Sequence, residues 1–148
     1  MKNCIVVDLD GTVCDSSHRD HLAQAGQWDD FHKALTDDKP WKDAKELIFA
    51  MNQYGMNTIA VTGRNERHRC RTLGWLRLNE IEIDMLLMRR DDDFRSDTEV
   101  KPALLSEHFG SMQIALESVL FILDDRDKVV QKWRDLGFRC WQVQPGGY

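Results

Sequence analysis

The sequence predicts an α/β fold, a parallel sheet covered by helices on both faces. Five short apolar runs recur along the chain, and they alternate with stretches of helical periodicity. The runs are continuous rather than alternating polar and apolar, as strands buried on both sides require. Right-handed crossovers then leave few ways to connect them.

Taken in order, the first run is Cys4 to Val7 and ends in Asp8. Trp41 to Tyr54 follows, with apolar residues at 41, 44, 47, 48 and 51, the spacing of a helix buried on one face. The second run, Thr58 to Val61, ends in Thr62, and the third, Met85 to Met88, ends in Arg89. The fourth, Val119 to Leu123, ends in Asp124. Asp127 to Leu136 is a second one-sided helix, apolar at 129, 130, 133 and 136, and Cys140 to Val143 is the last run. Ligands of such sheets bind beyond the carboxyl ends of the strands, where the strand order reverses. Asp8, Thr62, Arg89 and Asp124 all stand at that end.

Composition narrows the class. A chain of 148 residues, 42% hydrophobic and 30% charged, is expected to form one domain over 1–148 and to bury roughly 70% of its unfolded surface. No apolar run approaches the ~20 residues of a membrane crossing. The N-terminal MKNCIVVDLDGT places carboxylates directly after a short apolar run, unlike a secretory signal. Cys4, Cys14, Cys70 and Cys140 form no C-x-x-C pair, so reduced thiols and a cytoplasmic location are expected. The net charge of −5 argues against bulk capture of nucleic acid. Arginines are nevertheless concentrated at 64, 67, 69, 71 and 77 against the single Glu66, and Arg89 and Arg90 precede Asp91 to Asp93. Such a cluster can hold an anionic substrate at one place or form a solvated helix face.

The chemistry begins in IVVDLDGT, residues 5 to 12. Asp8 and Asp10, separated by one residue, are expected to leave the strand pointing the same way, and Gly11 permits a sharp departure of the backbone. Two carboxylates a few ångströms apart repel, and a hard divalent cation such as Mg²⁺ is the usual compensation. Asp124 and Asp125 follow the fourth run and complete a metal site if strands one and four are neighbours; an acidic helix start is the plainer alternative. Thr62 and Gly63 are expected where a strand opens into a helix, a natural phosphate cradle. Lys101 precedes Pro102, which suits a first helical position, so Lys101 is expected at a helix N-terminus.

D-x-D-G-T at 8–12, Thr62, Lys101 and the Asp124–Asp125 pair resemble, in the same order, the four motifs of the haloacid dehalogenase superfamily. Within it, DDRDKVVQKWRDLGFRCWQV (124–143), TGR (62–64), RSDTEVK (95–101) and Arg19 resemble the phosphatase domain of bacteriophage polynucleotide kinase/phosphatase. The resemblance spans nearly the whole chain. It departs in lacking a kinase half, in a longer stretch around Ser111 to Glu117 and in different residues between Asp15 and Asp30. It implies a three-layer fold whose five strands lie in the order 3-2-1-4-5, with only a minimal cap. It further implies a Mg²⁺-dependent polynucleotide 3′-phosphatase acting on DNA or RNA ends in repair. Asp8 would be the nucleophile, forming an aspartyl-phosphate, and Asp10 the acid and base. Mg²⁺ would be held by Asp8, by Asp10 through its backbone carbonyl, and by Asp124 or Asp125. Thr62, Gly63 and Lys101 would hold the phosphate, while Arg19, Arg64 and Asp97 would line the substrate groove. A separate kinase or ligase partner is compatible with that role.

Any flap or lid must fit within 13–40, and the 26 residues from 15 to 40 are too few for a domain with its own core. That predicts an open site, suited to a bulky nucleic-acid end. The rivals are a phosphatase of free nucleotides or other small phosphomonoesters, and a non-catalytic module that binds ends or a partner enzyme.

Overall fold

The computed structural model describes Met1 to Gly147. In chain order the elements are β1 (Cys4–Val7), β2 (Cys14–Asp15), α1 (Asp20–Gln24), α2 (Trp28–Lys33), β3 (Lys39–Pro40), α3 (Lys42–Gln53) and β4 (Asn57–Asn65). They continue with α4 (Arg69–Leu78), β5 (Met85–Arg89), α5 (Asp97–Phe109), α6 (Met112–Ser118), β6 (Val119–Asp124), α7 (Asp127–Asp135) and β7 (Cys140–Gln142). The five-stranded sheet runs β5-β4-β1-β6-β7 and every pairing is parallel. This is the predicted order, and each expected strand is present.

β1 is buried along its whole length, and its side chains divide with period two. Ile5 and Val7 join Ala44 and Ile48 of α3 and Trp75 and Leu76 of α4 on one face. Cys4 and Val6 join Leu105 of α5, Ala115 of α6 and Val129, Val130 and Trp133 of α7 on the other. Helices therefore cover both faces, which is why the strands read as unbroken apolar runs. Among the described residues no helix is long and apolar enough to cross a membrane.

From β1 the chain crosses to β4 on one side and later returns to β6 on the other, making β1 the switch point of the sheet. The Asp8 amide donates to the Leu123 carbonyl at 2.9 Å, fixing the end of β1 beside the end of β6. β2 and β3 form a separate two-stranded ladder, with Cys14 opposite Pro40 and Asp15 opposite Lys39. The segment between them carries α1, α2 and two short 3₁₀ turns.

Three local expectations need correction. β1 ends at Val7 and Gly11 takes a left-handed φ of 84°, so Asp8 and Asp10 do not share a strand and their carboxylates enter different clusters. β4 runs through Thr62 to Asn65 with an irregular register, so no helix N-terminus lies at Thr62. Its hydroxyl instead accepts from the Arg64 amide at 3.2 Å. α5 begins at Asp97, after Ser96, and contains Pro102. Asp97 and Glu99 favour the N-terminal turn electrostatically, so the helix starts four residues before Lys101.

Candidate active site

Two clusters of charge meet at the carboxyl edge of β1, β4 and β6. In the first, Lys101 Nζ donates to Asp8 Oδ1 and to Asp124 Oδ2, each at 2.8 Å. Asp8, Asp124 and Asp125 each offer an oxygen, and these lie within 4.8 Å of one another. All four residues are buried. The second Asp124 oxygen accepts the Asp125 amide at 2.9 Å, leaving Oδ2 for the cluster. Thr12 Oγ1 lies 3.4 Å from Asp8 Oδ2 and 3.5 Å from Asp125 Oδ1. A Cβ on Gly11 would stand 2.2 Å from Asp125 Oδ2, so both the turn and the packing demand glycine there.

Asp8 and Asp124 share the Lys101 ammonium, with Asp125 beside them, and the titration follows. Burial pushes the Asp8 pKa well above the carboxylate range; Asp124 and Asp125 add to the rise and Lys101 opposes it. Burial works against the charge on Lys101, but Asp124, Asp8 and Asp97 outweigh it and hold the ammonium protonated. This donor set is all hard oxygen and carries excess negative charge, which suits a Mg²⁺-like cation.

The second cluster is balanced. Arg64 and Arg19 each donate to Asp10 Oδ1 at 2.5 Å. Arg19 also grips Asp38 through two bonds of 2.6 and 2.8 Å, donates to the Phe31 carbonyl at 2.9 Å and lies 4.1 Å from the Phe31 ring centroid. Arg64 donates to Thr72 Oγ1 at 3.1 Å. Burial tends to raise the Asp10 pKa, but Arg64 and Arg19 override it and drive it far below the usual range. The Asp10 carboxylate is therefore ionised and lies outside the Asp8–Asp124–Asp125 group.

Asp97 forms a third contact point. It accepts from Arg89 and, at 2.5 Å, from Arg126. A Cβ on Gly63 would lie 2.5 Å from Asp97 Oδ1, so the glycine permits the close approach. The cationic neighbours Lys101, Arg126 and Arg89 overcome burial and lower the Asp97 pKa.

All the predicted positions thus gather at one sheet edge, with Thr62 and Gly63 beside them on β4. The expected openness is not observed: Asp8, Thr62, Lys101, Asp124 and Asp125 are buried, and Arg19 from the 16–38 segment reaches over to Asp10. Of the site carboxylates, Asp10 is 20% and Asp97 17% exposed. Sequence reasoning missed Asp38, which follows no apolar run and carries no motif. It also gives no role to Thr12 or Arg126, although Thr12 stands in the quoted D-x-D-G-T, and it places Arg89 at the ligand-binding end of the sheet without naming its partner Asp97.

Residues 2–148 match the family described as the polynucleotide kinase PNKP phosphatase domain. Two solved structures of a Pnkp1/Rnl/Hen1 complex, one titled as an RNA repair complex, contain chains similar to this one over its whole length. They are 28% and 29% identical, with TM-scores of 0.85 and 0.83. This chain spans less than half the length of those chains, 44% and 47%. A haloacid dehalogenase-like hydrolase from Streptococcus pneumoniae, 13% identical with a TM-score of 0.69, shares the fold over 99% of this chain and 94% of its own. With a match from residue 2 to the C-terminus, the chain belongs to the PNKP phosphatase domain family of haloacid dehalogenase-like phosphatases.

Proposed function

We propose that this chain is a Mg²⁺-dependent polynucleotide 3′-phosphatase that heals DNA or RNA ends. The observation that carries the reading is the convergence of Asp8, Asp124, Asp125 and Lys101 in one buried cluster, with Asp10 and two arginines at its mouth. The family match and the similarity to chains of an RNA repair complex support the nucleic-acid substrate. A kinase or ligase on another segment or partner, and a cytoplasmic setting, fit this role.

Asp8 and Asp124 or Asp125, with the Asp10 backbone carbonyl, would hold the cation. When bound, Mg²⁺ supplies the positive charge that lets a carboxylate approach a phosphate dianion. Asp8 attacks phosphorus, forming an Asp8–phosphorus bond as the bond to the 3′ oxygen breaks. Lys101, Thr62 and the Gly63 backbone hold the phosphoryl oxygens. Asp10 gives a proton to the departing 3′ oxygen, then takes one from the water that displaces phosphate from Asp8. In the free protein Asp10 is ionised by its arginines, so the donor role requires those guanidiniums to turn toward the substrate phosphates. Incoming phosphate competes for the same donors, and release raises the Asp10 pKa toward the range of a general acid. Asp97 and the arginines line the groove.

The deciding experiment compares phosphate release from 3′- and 5′-phosphorylated DNA and RNA oligonucleotides and from mononucleotides, with Mg²⁺ and with chelator. Mg²⁺-dependent release from 3′-phosphorylated strands is expected. Equal or faster release from mononucleotides assigns the chain to small phosphomonoesters, and release undiminished by chelator overturns the metal.

A further inference from the structure

The segment between β2 and β3 presents an aromatic cluster that the chemistry above does not use. Trp28, at the start of α2, is half exposed. Its ring packs edge-on against Phe31 at 5.6 Å between centroids and lies 6.4 Å from His32, tilted by 31°. His32 in turn lies 5.2 Å from His68. Both imidazoles are buried; among the described residues His32 Nδ1 has no hydrogen-bond partner, while His68 Nε2 faces the Asp29 carboxylate at 3.3 Å. Such an unpaired nitrogen is uncommon in a folded protein and is relieved by a ligand that brings its own donors and acceptors.

The cluster is joined to the site by a short relay. Trp28 touches Phe31, the Phe31 ring carries the Arg19 guanidinium, and Arg19 holds Asp10. It is also tied to the sheet domain. Asp29 lies 3.4 Å from Arg67 Nε and 3.3 Å from His68 Nε2, linking α2 to the turn that opens α4. Arg67 and Arg71 are exposed beside it. Asp29 pairs with Arg67, while Arg71 contacts His68 Nδ1 at 3.4 Å. An exposed indole whose neighbour Asp29 is paired to the exposed Arg67, joined through Phe31 and Arg19 to a phosphate site, is a combination that binds single-stranded nucleic acid. The ring stacks on a base and the cations follow the backbone.

We propose that Trp28 is a stacking platform for the nucleobase nearest the 3′-phosphate. This rests on the 3′-phosphatase reading and names how that site recognises a strand. Because every base has a π-face, the platform favours polynucleotide ends over base-free phosphomonoesters without selecting sequence.

The test is equilibrium binding of a 5′-fluorescein single-stranded DNA ending in 3′-phosphate, read by anisotropy on an Asp8→Asn background so that nothing turns over. Replacing the terminal base by an abasic sugar is expected to weaken binding about ten-fold. Trp28→Ala is expected to cause the same loss with the natural strand and no further loss with the abasic one. Trp28→Phe retains most of the affinity. The platform is overturned if Trp28→Ala binds the natural strand as tightly as its parent, or weakens both strands equally. Absence of strand binding by the parent overturns it too. Failure of the phosphatase reading registers separately: no phosphate is released from any substrate by the unmodified chain, while the base dependence of binding persists.

Discussion

Asp8 and Asp10 are two residues apart and end in opposite electrostatic situations. Around Asp8 burial is nearly complete, Asp124 and Asp125 crowd it, Lys101 is the ammonium it shares with Asp124, and the pKa is driven up, by burial first. Around Asp10 two carboxylates meet two guanidiniums and the pKa is driven down. The first half gathers three carboxylate oxygens that could hold a cation; the second is an ion-pair network between Asp10, Asp38, Arg19 and Arg64. Residue type does not decide the role of an aspartate, but the number of cations within reach does.

Asp8→Asn tests the first half. Phosphate release is expected to fall roughly 10⁴-fold or more, as for loss of a nucleophile. The melting temperature should hold or rise, because a repelled buried charge is removed. Asp10→Asn is expected to lower turnover by roughly 10²–10⁴-fold. Here stability falls, by roughly 3–5 kcal/mol, since two buried arginines lose their shared carboxylate. Opposite signs in calorimetry would sharpen the contrast, and matching signs would break it.

Lys101→Met removes the only ammonium from the first half. In chelator it should lower stability by roughly 3–5 kcal/mol. Added Mg²⁺ should then raise the melting temperature of the variant more than that of the parent. Asp38→Asn acts on the second half chiefly through Arg19, with His18 at 2.7 Å and Arg64 at 3.8 Å as its other basic neighbours. A loss of roughly 1–3 kcal/mol is expected from urea unfolding, with turnover reduced less than by Asp10→Asn.

The last effect is on pH. Burial and the nearby Arg64, His68 and Arg19 hold the His32 pKa down, from 6.5 to about 4, against the pull of Asp10. The unfolded chain therefore binds the extra proton between those values, and stability falls as pH drops from about 6.5 to 4. The loss reaches up to roughly 3 kcal/mol. Thermal melts of His32→Asn across that window should show a flatter profile.

The sheet was legible because each strand is buried on both faces, so its apolar run has no gaps to misread. The polar ends of β1, β4 and β6 were legible for the same reason: Asp8, Thr62 and Asp124 mark where burial between helices stops. The path beyond each strand was not. Gly11 turns Asp10 away from Asp8 through a left-handed φ, and β4 continues past Thr62 to Asn65; neither follows from periodicity. Lys101 was assigned to a helix start because Pro102 suits one, yet Asp97 and Glu99 had already begun the helix. Asp38 was invisible for a different reason. Its role comes from Arg19, nineteen residues earlier, and only the folded segment between β2 and β3 brings them together.

That segment leaves and rejoins the sheet domain at nearly one point, because Asp15 and Lys39 are ladder partners. Its ends are already closed, yet it is not a detachable arm: Arg19 reaches Asp10, Leu35 enters the core and the Asp38 carbonyl accepts from the Trp75 indole. A graft that keeps those three residues and alters only the exposed stretch around Trp28 leaves β1, β4 and β6 in place. Such a socket would exchange what is recognised while keeping the contacts that hold Asp10.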